Sequence, residues 1–163
     1  MPDMDAFTDR LDPDMCVVTA VAGGERAGCL VGFASQCSLR PVRFVVWLSE
    51  TNRTFRVARS AEFLAVHLLA RDQLGLAEIF GGRTGDDGDD KFQDVRWRQG
   101  HGGAVVLEDT EAWFVGQVVE RVSGGDHVGF VLDPVEWGAR KRSGGPLLRL
   151  SDAYRIEPGH PVD

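Results

Sequence analysis

The chain lacks most of the features that announce a function at a glance. Three cysteines, Cys16, Cys29 and Cys37, stand too far apart for a redox or zinc-ribbon motif, and their odd number argues against a disulfide framework. They read as thiols. Histidines at 67, 101, 127 and 160 show no metal-ligand spacing, so no metal site is expected. No Gly-x-Gly-x-x-Gly follows a strand-like run and no Gly-Lys-Ser/Thr loop is present, which removes the usual dinucleotide and phosphate-loop signatures. No apolar segment approaches membrane-spanning length, and the first fourteen residues hold five aspartates where a targeting peptide would be apolar or basic. A cytoplasmic location is expected. Basic charge is short as well: 18 Lys and Arg against 25 Asp and Glu give a net −7, which disfavours nucleic acid and anionic membranes as partners. Internal repeats, low-complexity tracts and linkers are also missing.

What remains fits one globular domain. Its 163 residues, 43% of them hydrophobic, suffice for a sizeable core. The expected division is an acidic extension over 1–14, a domain over 15–157 and a frayed tail over 158–163. Met15 to Ala22 is apolar and β-branched, Gly23-Gly24-Glu25 supplies a turn, and Ala27 to Val31 resumes the pattern, which predicts a β-hairpin. Arg43 to Leu48 predicts a strand buried on nearly both faces, Thr54 to Arg59 a short helix, and Phe63 to Leu69 another strand. Asp72 is expected to cap a helix with Leu74, Ala77, Ile79 and Phe80 on its apolar stripe, ended by Gly81-Gly82. Gly81 to Asp90 reads as a solvated loop able to act as a lid. Glu111 to Arg121 and His127 to Val135 form a second hairpin around Gly124-Gly125, and Leu147 to Leu150 a last strand-like piece. Many short strands with two modest helices predict a mainly β fold with flanking helices, an antiparallel barrel.

The chain is organised around Gly28 to Pro41, which joins two apolar strand-like runs yet is small and polar itself. Gly28 and Gly32 would let a flat or phosphorylated ligand approach the backbone, with Ser35, Gln36 and Ser38 as neutral hydrogen-bonding groups. Cys37 would add a small soft side chain there. A bulged strand corner with no ligand fits the same residues. Ser49, Thr51, Asn52, Arg53 and Thr54 precede a helix start and form a candidate anion site, although Thr51 or Asn52 acting only as a helix cap fits equally.

The order of these pieces resembles the flavin reductase-like family, built on the FMN-binding split barrel. Cys-Val-Val-Thr-Ala at 16–20 resembles its first strand, Gly28 to Pro41 its flavin-binding segment, and Asn52-Arg53-Thr54-Phe55 the polar loop that follows. Asp90-Lys91-Phe92, Trp97 and Gly100 are similar to its loop over the site. Gly125-Asp126-His127 resembles its short signature, and Pro146-Leu147-Leu148 leading to Tyr154-Arg155 its ending. The resemblance implies an antiparallel split β-barrel, a homodimer and NAD(P)H-dependent reduction of FMN or FAD, with a monooxygenase as recipient of the reduced flavin. It places Leu30, Val31, Gly32 and Phe33 along the flavin ring, Ser35, Gln36, Cys37 and Ser38 at its polar edge, and Ser49 to Thr54 at the phosphate. His127 is the expected catalytic residue, and Lys91 and Phe92 the loop contacts, with a solvated Lys91 as the plainer account. Hydride transfer needs no protein acid or base, so no triad is expected. Leu30, Gly32 and Phe33 stand where the family usually carries a threonine and paired serines. That departure leaves room for a flavin- or deazaflavin-binding protein without turnover.

Overall fold

The computed structural model describes residues 3–82, 90–142 and 145–153. Within them, β1 (Cys16–Ala22) and β2 (Glu25–Val31) form the predicted hairpin in register Val18 to Cys29. Gly23 and Gly24, at φ 58° and 80°, make its two-residue turn, where left-handed backbone at both positions matches the twist of the strands. β3 (Ala34–Leu39) and β4 (Val42–Ser49) form the next hairpin. β5 (Phe63–Leu68) pairs between β1 and β8 (Ala112–Ser123), and β9 (His127–Ala139) links β8 to β4. The result is one antiparallel sheet of seven strands in the order β2-β1-β5-β8-β9-β4-β3. A separate ribbon, β6 (Trp97–Gln99) with β7 (Val105–Leu107), lies beside it.

The sheet curls upon itself. Cys29 and Val31 of β2 share one core cluster with Val46 and Leu48 of β4, although four strands separate β2 from β4 in the hydrogen-bonded order. Phe130, Leu132, Leu64 and Val66 fill the same interior, and each such side chain contributes about 1.5–3 kcal/mol by leaving water. β2 and β3 are the two edges, joined in sequence through Gly32 and Phe33, so the predicted corner lies where the sheet opens.

A second cluster covers the outer face of β1 and β5. There Val17, Leu69, Val105, Leu107 and Leu148 meet Ala77 and Phe80 of α3 (Leu74–Gly82) and Phe92 of a short 3-10 turn, Lys91–Asp94. His67 sits in this layer fully buried. Its Nδ1 bonds the Val17 carbonyl at 2.9 Å, while its Nε2 accepts from the Leu107 N–H, also at 2.9 Å. These partners fix the neutral tautomer protonated on Nδ1. Burial lowers its pKa from the ordinary 6.5 to about 4. Thr19 Oγ1 donates to the Val105 carbonyl at 2.6 Å, so two polar side chains from the sheet stitch β7 onto it.

Two local expectations are corrected. Asp72 does not cap α3: it lies inside a 3-10 turn, Arg71–Gln73, whose entry is closed by the Gln73 Oε1 accepting from the Ala70 N–H at 2.9 Å. The longer Gln side chain reaches back to the start of the turn, where a carboxylate at 72 does not. Leu147 to Leu150 is no strand, because only isolated bridges from Leu147 to Ala70 and from Arg149 to Asp14 form before α4 (Leu150–Ala153) begins. The extension over 1–14 includes one helical turn, α1 (Asp5–Thr8). The expected lid over 81–90 falls largely outside the described residues, as do Tyr154, Arg155 and the tail over 158–163.

Candidate functional site

At the opening of the sheet, the end of β2 turns through Gly32 and Phe33 into β3. Val31 is buried and Leu30 half-buried against the second core, whereas the Phe33 ring is 59% exposed. Its carbonyl accepts from the Trp47 N–H at 2.9 Å, which anchors the corner to β4. The Phe33 ring stands 5.1 Å from the His127 ring, tilted by 54°. His127 begins β9 opposite Ser49, and its Nδ1 lies 2.7 Å from Asp126 Oδ1. Trp47 underpins this end of the hairpin, because its indole occupies the space that side chains at Gly124 and Gly129 would need: a Cβ there would come within 2.6 Å and 2.8 Å of the ring. Phe33, Trp47, Ser49 and His127 thus converge although 94 positions separate the first from the last.

Beside them runs the connection from β4 into α2 (Arg53–Ala58). Asn52 is the N-cap, its Oδ1 accepting from the Thr54 N–H at 2.9 Å. The cap role that the sequence offered for Thr51 or Asn52 thus falls to Asn52. Thr54 is buried and, together with Asn52, hydrogen-bonds the Cys29 thiol. Burial raises that thiol's pKa, and it pushes the neighbouring Cys16 up to about 12, so both stay protonated and unreactive. Arg53 reaches back to the β1–β2 turn, donating to the Arg26 carbonyl at 2.9 Å and meeting Glu25 at 3.3 Å. Ser49 and Thr51 share a hydroxyl hydrogen bond of 3.0 Å on the exposed side. Thr54 is thus buried, whereas Glu50 and Thr51 are exposed and Ser49 half-buried.

Lys91 is buried where a solvated side chain was the plainer expectation. Its Nζ donates to the Gly28 carbonyl at 2.8 Å and to the Phe80 carbonyl at 3.3 Å. Phe92 packs into the second core, with its N–H donating to Asp90 Oδ1 at 3.0 Å. Gly28 has a packing reason of its own: a Cβ would meet the Phe80 ring at 2.7 Å. A Cβ at Gly32 would meet Met15 Sδ at 3.2 Å. The close approach allowed by these glycines is therefore to the protein's own side chains. Sequence reasoning missed Arg26, whose guanidinium lies 5.0 Å from the Trp97 ring and 5.9 Å from that of Phe92, with Asp90 at 3.8 Å. Nothing local in Gly-Gly-Glu-Arg signals that stacking.

The expected polar edge at 35–38 lies on the edge strand β3, with Ser35, Gln36 and Cys37 exposed and Ser38 half-buried. Gln36 donates to the Ser38 carbonyl at 3.1 Å and borders a cavity whose lining includes none of Phe33, Trp47, Ser49 and His127. A register shift between Gln36 and Ser38 marks the expected bulge. Among the described residues no cluster of His, Cys, Asp and Glu is arranged to hold a metal ion.

The sequence matches the family described as "Flavin reductase like domain" over residues 9–157. It is 30% identical over 115 residues to a probable flavin reductase of Rhizobium meliloti, covering 68% of this chain but only 36% of that protein. It is thus similar to about a third of that longer chain. An NADH-dependent FMN reductase, AsuE2, of Streptomyces nodosus subsp. asukaensis is 28% identical over 144 residues, with 88% of this chain and 78% of that one covered. The reductase component of a 4-nitrophenol 4-monooxygenase/4-nitrocatechol 2-monooxygenase of Rhodococcus opacus is 30% identical over 144 residues, covering 88% and 72%. In three dimensions the chain is similar to a flavin reductase domain protein from Arthrobacter sp. FB24, with a TM-score of 0.79 at 20% identity over 99% of this chain and 97% of that one. The curled antiparallel sheet, the corner at its opening and a match along nearly the whole length agree: the chain belongs to the flavin reductase like domain family.

Proposed function

We propose that the protein is an NAD(P)H-dependent flavin reductase of the split-barrel type whose flavin rests at the β2–β3 corner. The observation that carries this reading is the convergence of Phe33, Ser49 and His127 on one side of the opening, with Phe33 and His127 rings 5.1 Å apart. An exposed aromatic ring, exposed hydroxyls at Ser35 and Thr51 with a half-buried one at Ser49, and a corner rich in backbone groups suit a planar ligand with apolar faces and polar edges. When bound, a flavin supplies the hydride-accepting ring. Leu30 to Phe33 would lie along that ring and Ser35 and Ser38 at its polar margin. Ser49 and Thr51 would face a phosphate, with Asn52 and Thr54 holding the loop from within. Lys91 would act on the site through the Gly28 carbonyl, fixing the backbone that precedes the corner. His127, at the strand mouth with Asp126 on its Nδ1, would border the space where the nicotinamide docks.

The relatives named as an NADH-dependent FMN reductase and as a monooxygenase reductase component support NADH as donor, FMN or FAD as acceptor and transfer of reduced flavin to a monooxygenase. A homodimer in the cytoplasm completes the reading. The replacement of family hydroxyls by Leu30, Gly32 and Phe33 favours, as the second reading, a flavin- or deazaflavin-binding protein without turnover.

Flavin-stripped protein titrated with FMN and FAD, then given NADH and NADPH without oxygen, tests both. Bleaching of bound flavin well above the rate for free flavin is the expected outcome. Binding without bleaching would replace the first reading by the second, and no binding would leave the corner a structural feature only.

A further inference from the structure

Two histidines of the sheet, His67 in β5 and His127 in β9, are held differently. His67 has a partner on each ring nitrogen, the Val17 carbonyl and the Leu107 N–H. His127 has one. Its Nδ1 donates to Asp126 Oδ1 at 2.7 Å, and among the described residues no hydrogen bond reaches its Nε2. The His127 side chain is 28% exposed and its ring stands 5.1 Å from that of Phe33. A half-buried ring with one uncommitted nitrogen thus borders the β2–β3 corner.

An ionised carboxylate can only accept, so the ring that Asp126 holds carries its proton on Nδ1 and, when neutral, a lone pair on Nε2. Both residues are fixed through their backbones. The Asp126 carbonyl accepts from the Glu50 N–H at 3.0 Å, just past the end of β4, and the His127 carbonyl accepts from the Gly124 N–H at 2.9 Å across the turn. The Trp47 indole fills the space beside Gly124 and Gly129 in the same hairpin. With the dipeptide tied on two sides, its side-chain hydrogen bond forms at little further cost in conformational freedom.

A lone pair calls for a donor. In the reading above, Ser35 and Ser38 meet the polar margin of the flavin, which leaves His127 to the second ligand, the nicotinamide. The hydrogen-bonding group that a nicotinamide ring carries is its carboxamide, whose NH2 donates and whose oxygen accepts. A histidine protonated on Nδ1 takes the NH2, and the opposite tautomer would take the oxygen. The place of one proton therefore decides which end of the carboxamide is read, and with it how the nicotinamide is turned over the flavin.

We propose that Asp126 is a positioning residue that holds His127 protonated on Nδ1, so that Nε2 accepts a hydrogen bond from the carboxamide NH2 of the nicotinamide. This rests on the reductase reading above and names the group of the nicotinamide that the site recognises. Long-range proton–nitrogen NMR spectra of the flavin-free full chain with isotope-labelled histidine, taken where the ring is neutral, read the tautomer directly. His127 is expected to carry its proton on Nδ1 in the wild type and mainly on Nε2 in Asp126→Ala. A wild-type ring protonated on Nε2, or a tautomer that Asp126→Ala leaves unchanged, would overturn the positioning role. The second readout compares NADH with its acetylpyridine analogue, which keeps the carbonyl and has a methyl group in place of the NH2. The preference for NADH in kcat/KM is expected to fall about fivefold in Asp126→Ala, a ratio from which the analogue's own reactivity cancels. An unchanged preference with turnover retained would overturn the carboxamide contact. A wild type that bleaches no flavin with either nicotinamide would remove the ligand together with the reductase reading, while the flavin-free spectra still decide the tautomer.

Discussion

His67 and Lys91 both bury a nitrogen-bearing side chain against the β1–β2 hairpin, yet they belong to different parts of the molecule's economy of polar groups. His67 holds the carbonyl of Val17 and the N–H of Leu107, one strand of the sheet and one of the outer ribbon. Both partners are framework. Lys91 holds the carbonyls of Gly28 and Phe80, the strand that leads into the corner and the helix beside it. Imidazole, with one donor and one acceptor, suits a donor and an acceptor that face each other across a gap; an ammonium, with donors only, suits two converging carbonyls. The difference is expected to separate a group whose loss costs stability alone from one whose loss also reaches the proposed flavin site.

The sharpest way to break the comparison is His67→Leu, which leaves a buried carbonyl and a buried N–H without partners. A loss of about 2–5 kcal/mol is expected in urea unfolding, with flavin affinity of the folded protein unchanged. The same residue sets an acid limit. Its folded pKa of about 4 lies below the ordinary 6.5, so the unfolded chain takes up the proton first. Stability is full above pH 6.5 and falls as the pH drops toward 4, by about 3 kcal/mol from this group. Urea midpoints across that window should show the slope in the wild type, and its persistence in His67→Leu would assign it elsewhere.

Lys91→Met keeps the apolar stem and removes the donor. It is expected to cost about 1–3 kcal/mol in stability and, unlike the change at 67, to weaken FMN binding by about tenfold. Isothermal titration of the folded variant checks this, and unaltered affinity would place Lys91 with His67 among the framework residues. Ser49→Ala with Thr51→Ala should weaken FMN by about tenfold while barely affecting riboflavin, because these hydroxyls lie on the exposed side, whereas the Asn52 carboxamide caps α2 and Thr54 is buried. Equal losses for both ligands would exclude a phosphate role for the loop. The smallest effect is expected at His127→Ala: turnover about fivefold slower with little change in flavin affinity, measured by stopped-flow reduction.

The elements were legible where their cause is local. Gly23-Gly24 between two β-branched runs specified a tight hairpin, and the apolar alternation at 63–68 specified β5. The site was legible as a set of candidate segments, and its composition was not. Asn52 looked as suited to a ligand as to a helix cap, since its carboxamide serves both and only the position of the Thr54 N–H decides. Lys91 looked solvated because lysine mostly is. Its burial depends on the Gly28 carbonyl, 63 residues away, arriving at 2.8 Å. Asp72 looked like a cap because the rule for caps names its residue type, while a Gln one position later had the reach.

By itself, the sequence determined a mainly antiparallel chain with two glycine-turned hairpins, a small polar corner between apolar strands and an acidic, Met- and Phe-bearing amino end. These follow from side-chain period, backbone freedom and charge, all properties of neighbours in the chain. Only the tertiary structure decided which polar groups are engaged internally and which lie toward the opening: Thr54 on Cys29, Lys91 on Gly28 and His67 on Leu107, against the Ser49 and Thr51 hydroxyls. A hydrogen bond is satisfied by whatever lies three ångströms away, and in a curled sheet that neighbour comes from a distant strand.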